Sequence, residues 1–163
     1  LRGVVGPITH LGPVATYEHP DAPDYVVVPE QDTSHSWAHA YLYALELMGD
    51  RGVAIGTDFN GLAQQPAPRF PGGVASAPWR AGPIAYGQEL IPMTQEVLHR
   101  VRCEGRLFDL NSDGLAHYGM LPDFLRDVAN ELADEGLLAA FYRSAEDVID
   151  CWQACQDASW SVG

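Results

Sequence analysis

One carboxylate in this chain stands where a backbone turn would present it for chemistry. Gly52-Val53-Ala54-Ile55-Gly56-Thr57-Asp58-Phe59-Asn60-Gly61 reads as a short buried strand ending in a turn, with Asp58 at the strand's C-terminal edge. The apolar run Val53-Ala54-Ile55 needs no alternation if both faces are covered, as in a parallel sheet under helices. Gly56 and Gly61 allow tight geometry on either side of the acid. Such edges are where α/β barrels keep their catalytic groups. The other reactive residues are scattered. His35 and His39 are four apart, a helical spacing that metal sites use, but no Glu follows His35 and the pair reads as a polar helix start near the surface. His19-Pro20-Asp21 has the letters of a metal pair but lies in a Pro-rich loop, and it reads as coincidence. Arg69 and Arg80 are of a type that grips a carboxylate bidentately, against the ordinary reading of an exposed Arg. There is no Gly-rich phosphate loop, no Gly-x-Ser-x-Gly elbow and no Cys-x-x-Cys pair.

The elements around Asp58 follow a β-α-β rhythm. Residues 3–9 form an apolar segment that reads as one strand, and 52–58 as the next. Between them lies a Pro- and acid-rich connection from Gly12 to Gln31, then Asp32-Thr33-Ser34 as N-cap candidates for a helix running to about Met48. Trp37, Tyr41, Ala44, Leu45 and Met48 make its apolar stripe, and Gly49 stops it. His10 follows the first strand and would point to the same edge as Asp58. The Pro-, Gly- and Gln-rich stretch 60–92 is long for a connection in a compact domain, and it is expected to cover a substrate site. Residues 94–104 fit helix or strand equally. Asp113-Gly114 is a turn signal, and His117 and Tyr118 lie in the loop before Pro122. Pro122 opens a helix with the stripe Phe124, Leu125, Val128 and Leu132, ending near Gly136. Ser144 with Asp147 resembles a capping box for a last helix, whose Val148, Ile149, Trp152 and Cys155 are expected to face inward.

Gly56-Thr57-Asp58-Phe59-Asn60-Gly61 resembles the last-strand motif of the membrane (renal) dipeptidase family, zinc-dependent (β/α)8-barrel hydrolases of the amidohydrolase group. The family's usual form is Gly-Ser-Asp-Phe-Asp-Gly, so Thr57 and Asn60 are departures. The stretch from Phe108 to Phe124 is similar to the segment before the final helix in a long-loop bacterial branch, and Ser144 to Trp152 to that branch's C-terminal helix. Gly3-Val4-Val5-Gly6-Pro7-Ile8-Thr9 is similar to the preceding barrel strand. The resemblance implies the fold class: the C-terminal part of an α/β (β/α)8 (TIM) barrel, with its last two strands, long loops and C-terminal helices. It also implies a metal-bound hydroxide attacking an amide or related bond, with Asp58 positioning the water and passing its proton to the leaving amine. His10, Asn60, Arg69, His117 and Tyr118 would then contact substrate. The family's zinc ligands lie on earlier strands, so a binuclear zinc site would be held mostly by residues outside this chain.

Length and composition set bounds on that reading. The chain has 163 residues, whereas a complete eight-stranded barrel takes roughly 250. It opens on Leu1 and runs straight into an apolar segment. The expectation is therefore the C-terminal portion of a longer protein, partnered by an upstream segment or a companion chain of the same barrel, with localisation left open. Net charge is −13, and all nine basic residues are Arg. An acidic, Lys-free surface argues against nucleic acid and anionic membranes as partners, and no apolar run is long enough to span a bilayer. The three Cys do not form a disulfide framework and read as small buried thiols. Two rival readings remain: a barrel-derived binding or structural subunit without chemistry, and a self-contained small α/β binding domain.

Overall fold

The computed structural model describes residues 3–9, 33–59, 64–70, 82–88, 96–132 and 135–160. Segments 3–9 and 52–58 run side by side in parallel. Val5 pairs with Val53 and Ile8 with Gly56. The Val5 amide donates to the Gly52 carbonyl at 2.8 Å, and the Ala54 amide returns to the Val5 carbonyl at 2.8 Å. Gly56 donates to Pro7 at 3.0 Å, and Thr9 donates to Gly56 at 2.8 Å. Two glycines permit this closeness. A Cβ on Gly56 would meet the Gly6 carbonyl at 2.9 Å, and one on Gly52 (φ +65°) would meet the Gly3 carbonyl at 2.6 Å.

Helix α1, Ser34–Met48, joins the two ladder segments. At its start the Ser36 hydroxyl accepts from the Thr33 amide at 3.2 Å and donates to the Thr33 carbonyl at 2.8 Å. At its end Gly49 and Asp50 both turn left-handed, at φ 63° and 61°, which breaks the helical repeat. Trp37 near the start donates its indole N–H to the Pro7 carbonyl at 3.1 Å, and Met48 at the end lies beside Gly52. The helix therefore runs back along the ladder, with its N-terminus at the edge where Thr9 and Asp58 emerge.

Downstream, β1 (Arg102–Cys103) and β2 (Arg106–Leu107) form an antiparallel hairpin, which resolves the ambiguous stretch near residue 100. Its turn residues Glu104 and Gly105 both take positive φ, 47° and 82°, matching the right-handed twist of a two-residue hairpin. Then come α2 (Leu110–Asp113), a 3-10 turn (Tyr118–Met120) and α3 (Leu121–Leu132). A second 3-10 turn (Glu135–Leu138) leads to α4 (Ala139–Tyr142) and α5 (Ser144–Trp160). Among the described residues the architecture is mixed and mostly helical, with one two-stranded sheet beside the parallel ladder.

The core lies between α1, α3 and the ladder. Trp37 packs edge-on to Phe124 at 5.4 Å and stacks on Tyr41 at 5.4 Å, while Leu42, Val53, Val128 and Leu138 are fully buried. Burying such side chains contributes about 1.5–3 kcal/mol each. The Tyr41 phenol spans to the far side of the core, donating to the Leu137 carbonyl at 2.8 Å and accepting from the Phe141 amide at 3.3 Å. Burial pushes its pKa up to about 12, so it remains a neutral donor.

Three expectations are corrected here. The α5 stripe does not face inward: Val148, Ile149 and Trp152 are 50%, 62% and 60% exposed, and Cys155 is exposed. Periodicity identifies a stripe but not what it meets. The Asp147 carboxylate accepts the Gly52 amide at 2.9 Å, which rolls the Asp147 side of the helix onto the ladder instead. Cys103 and Cys151 are only half-buried, so the thiols are not core residues. His35 and His39, read as near-surface, are 5% and 1% exposed, because their face of α1 packs on α3.

Segment 64–70 is anchored to the region around α2. The Leu115 amide donates to the Pro66 carbonyl at 2.9 Å. Gly114 (φ +68°) lets the two backbones touch, since a Cβ there would collide with the Pro66 carbonyl. Gly114→Ala should cost at least 1–3 kcal/mol, roughly the strain of a forced backbone conformation. It should appear as a lower urea midpoint and faster hydrogen exchange at the Leu115 amide; an unchanged Leu115 amide would contradict the anchoring.

Candidate functional site

The ladder's C-terminal edge is built from Thr9, Thr57, Asp58 and Phe59. The Thr9 hydroxyl bridges the Thr57 carbonyl (2.9 Å) and Gln65 Oε1 (2.6 Å), and Gln65 Nε2 donates to the same carbonyl at 2.8 Å. The strand end is thus pinned to both neighbours. Asp58 follows at φ +44°, a left-handed conformation that Asp tolerates better than most residues, and its side chain is exposed. The backbone turn, not a buried charge network, puts this carboxylate in solvent.

Phe59 packs on Tyr118, ring centroids 4.3 Å apart. That contact brings the Tyr118–Met120 turn beside the end of the strand. His117 caps the turn: its Nδ1 accepts the Gly119 amide at 2.9 Å, so a neutral ring carries its proton on Nε2. Phe108 stacks on the other side of His117 at 5.6 Å. Of the residues picked from sequence, Asp58, His117 and Tyr118 belong to this rim. His10 and Asn60 lie outside the described residues, as do His19, Asp21, Gly61 and Arg80.

Arg69 goes elsewhere. It is 2% exposed, and its guanidinium lies in a buried cluster between α1 and α3. Nε donates to Asp127 Oδ2 at 2.9 Å, Nη2 bonds Asp127 Oδ1, and Nη1 lies 2.8 Å from Glu131 Oε1. Glu131 Oε2 in turn meets His35 Nδ1 at 2.7 Å, and the Ser34 hydroxyl donates to Asp127 Oδ2. The His39 ring stands edge-on to His35 at 5.1 Å. The fork geometry anticipated for a substrate carboxylate is therefore used on two internal carboxylates. Sequence reasoning missed this cluster. Its signal was present: Asp123, Asp127 and Glu131 recur every four residues beside the apolar stripe of α3, too close to the core to be solvated.

Asp123 occupies a second buried polar spot beside the Tyr86 phenol. Burial pushes its carboxyl above the ordinary carboxylate range, against the lowering effect of the Tyr86 hydrogen bond. Burial likewise raises the Tyr86 phenol, which accepts the Leu110 amide at 2.9 Å. A cleft of about 610 Å³, lined by Leu47, Met48, Arg51, Asp147 and Asp150, lies at the ladder's other end, away from Asp58. Among the described residues no group of three His, Cys, Asp or Glu could hold a metal ion, and no helix is long and apolar enough to cross a membrane.

Comparison with protein-family models, with curated proteins and with solved structures finds no match.

Two outcomes follow from the buried groups. Arg69→Ala should destabilise the protein by about 3–5 kcal/mol, the usual result of leaving buried carboxylates without their cation. Arg69→Lys should recover only part of that, because an ammonium cannot fork. Equal urea midpoints for parent and both variants would refute this. Asp123→Asn should behave differently. The folded carboxyl holds its proton more tightly than the unfolded chain does. Its contribution is therefore full below the unfolded value, about 3.9, and is lost as pH rises through the folded value. The Asn variant should have the higher urea midpoint at neutral pH, with the gap closing near pH 3; a gap that does not change with pH would argue against a raised carboxyl.

Proposed function

We propose that this chain is the C-terminal portion of a zinc-dependent amidohydrolase, a dipeptidase-like hydrolase that cleaves an amide or related bond, with Asp58 as its proton carrier. The placement of Asp58 supports the reading best. It sits exposed at the C-terminal end of a parallel strand pair bridged by a helix, where α/β barrels do chemistry. The aromatic rim of Phe59 and Tyr118 beside it suits a small organic substrate. An exposed carboxylate is well suited to taking a proton from an attacking water and returning it to a leaving amine.

The described residues do not by themselves fit a zinc site. Zinc would be held by residues of an upstream segment or companion chain of the same barrel. Two parallel segments joined by one helix are compatible with such a completion, since so small a sheet has little independent stability. Within this chain His117 and Tyr118 are the substrate contacts favoured by position, and His10 and Asn60 remain candidates from sequence. Arg69 is committed elsewhere, its guanidinium holding Asp127 and Glu131.

The test uses the native assembly purified from its source, with a panel of dipeptides and N-acyl amino acids as amide substrates. Hydrolysis should be metal-dependent, and Asp58→Asn should lower kcat by about 10²–10⁴-fold, the range for loss of a general acid–base group. Thermal unfolding should be unchanged, since the side chain is exposed and Asn accepts the same backbone conformation. Full activity in the Asn variant would remove Asp58 from the mechanism. An assembly with no amide hydrolysis at all would remove the hydrolase reading.

A further inference from the structure

Segment 82–88 is fastened to α2 and to the first turn of α3, and one of its ties ends on a buried acid. Ile84 is buried in the core, and the Asn111 side chain holds both its amide and its carbonyl, at 2.9 and 3.1 Å. Gly87 donates to the Leu98 carbonyl at 2.9 Å, and the Leu98 amide returns to Gln88 at 2.8 Å. Between these ties the Tyr86 phenol accepts the Leu110 amide at 2.9 Å and donates to the Asp123 carboxyl. Asp123 is 1% exposed, and its Oδ1 finds no hydrogen-bond partner among the described residues. The charges nearby are engaged with one another. Asp109, the N-cap of α2, pairs with Arg100, whose guanidinium lies 4.6 Å from the Tyr86 ring centroid, and Asp113 pairs with Arg106. On α3 itself Arg126 follows one turn on, and Asp127 belongs to the Arg69 cluster.

We propose that Tyr86 and Asp123 form a proton-controlled latch, which fastens segment 82–88 to α2 and α3 while Asp123 is protonated and releases it at Tyr86 when the acid ionises. Opposed effects meet at the carboxyl. Burial, with one oxygen unbonded, disfavours the charge and is the larger; the Tyr86 hydroxyl favours it, and Asp109 adds repulsion. Lifting the segment hydrates the carboxylate and leaves the apolar face of α3 in the core. Tyr86 keeps its own proton throughout, because burial raises the phenol. The sign follows from the two states. Hydrated, the acid ionises near about 3.9; docked, it ionises at higher pH. Opening is therefore least favoured below about 3.9, grows by up to about tenfold per pH unit above it, and levels off beyond the docked value. The latch is local, and it does not depend on the hydrolase reading.

The test is amide hydrogen exchange, read by NMR on the whole 163-residue chain across the acid-to-neutral range. Exchange through an opening of fixed population speeds about tenfold per pH unit, being first order in hydroxide. The Ile84 and Gly87 amides should climb more steeply than that above about pH 4, then return to the ordinary slope once Asp123 is ionised. The Ala54 and Leu115 amides, bonded elsewhere, should keep the ordinary slope throughout. In Asp123→Asn all four should keep it. Tyr86→Phe removes the hydroxyl that favours the carboxylate, so the steep window should extend to higher pH, and the Asp123 carboxyl carbon shift reads that change directly. Ordinary slopes at Ile84 and Gly87 in the parent would overturn the latch, as would steep slopes that persist in Asp123→Asn. Equal steepening at Ala54 and Leu115 would also overturn it, since the acid would then govern the whole fold rather than one segment.

Discussion

A buried cation with two carboxylates around it holds this structure's parts in register. Arg69 leaves the segment that follows the ladder, enters the space between α1 and α3, and meets Asp127 and Glu131 there. Ser34 and His35, in the first turn of α1, complete the other side of those carboxylates. Each group is nearly solvent-free, so screening is weak and any missing partner would leave a charge exposed to a low dielectric. The net energy of such a cluster against an apolar packing is not large. Its value is positional, because only one docking of segment 64–70 against α1 and α3 satisfies every member.

That docking is also what frames the strand end. Gln65, four residues before Arg69, bonds the Thr57 carbonyl, and Pro66 receives the Leu115 amide. The rim on which Asp58, Phe59, His117 and Tyr118 stand is therefore held from behind by the cluster and from below by the parallel ladder. The acid itself takes part in neither and remains in water. The frame is buried and cross-bonded, and the carboxylate at its edge is exposed.

Local signals in the sequence were read correctly where the physics is local. Thr33 and Gly49 bracket α1 because capping and left-handed backbone are properties of a few adjacent residues. Pro122 and Ser144 mark helix starts for the same reason. The two strand segments were recognisable from their apolar runs. What was not legible depends on partners distant in sequence. A histidine pair on α1 looks polar until α3 supplies Glu131, and an Arg among prolines looks exposed until its carboxylates are located. The stripe of α5 was visible, yet its direction was decided by one bond from Asp147 to a backbone amide some 95 positions away. Whether a barrel surrounds the ladder is likewise not a local property.

The separations within the Arg69 cluster bear on how the chain assembles. Arg69 and Asp127 are 58 residues apart, Ser34 and Asp127 are 93, and His35 and Glu131 are 96. Closing such loops costs entropy before any of these bonds returns free energy, and each charge must also shed its water. The apolar contacts of Trp37 with Phe124 require the same long closure but no dehydration of ions. Docking α1 on α3 therefore gains free energy without dehydrating ions, whereas the cluster does so only when all of its members are in place. A nascent chain whose α3 has not yet emerged from the ribosome holds His35 and Arg69 without the carboxylates they bond. During that interval the N-terminal half has no reason to close around them.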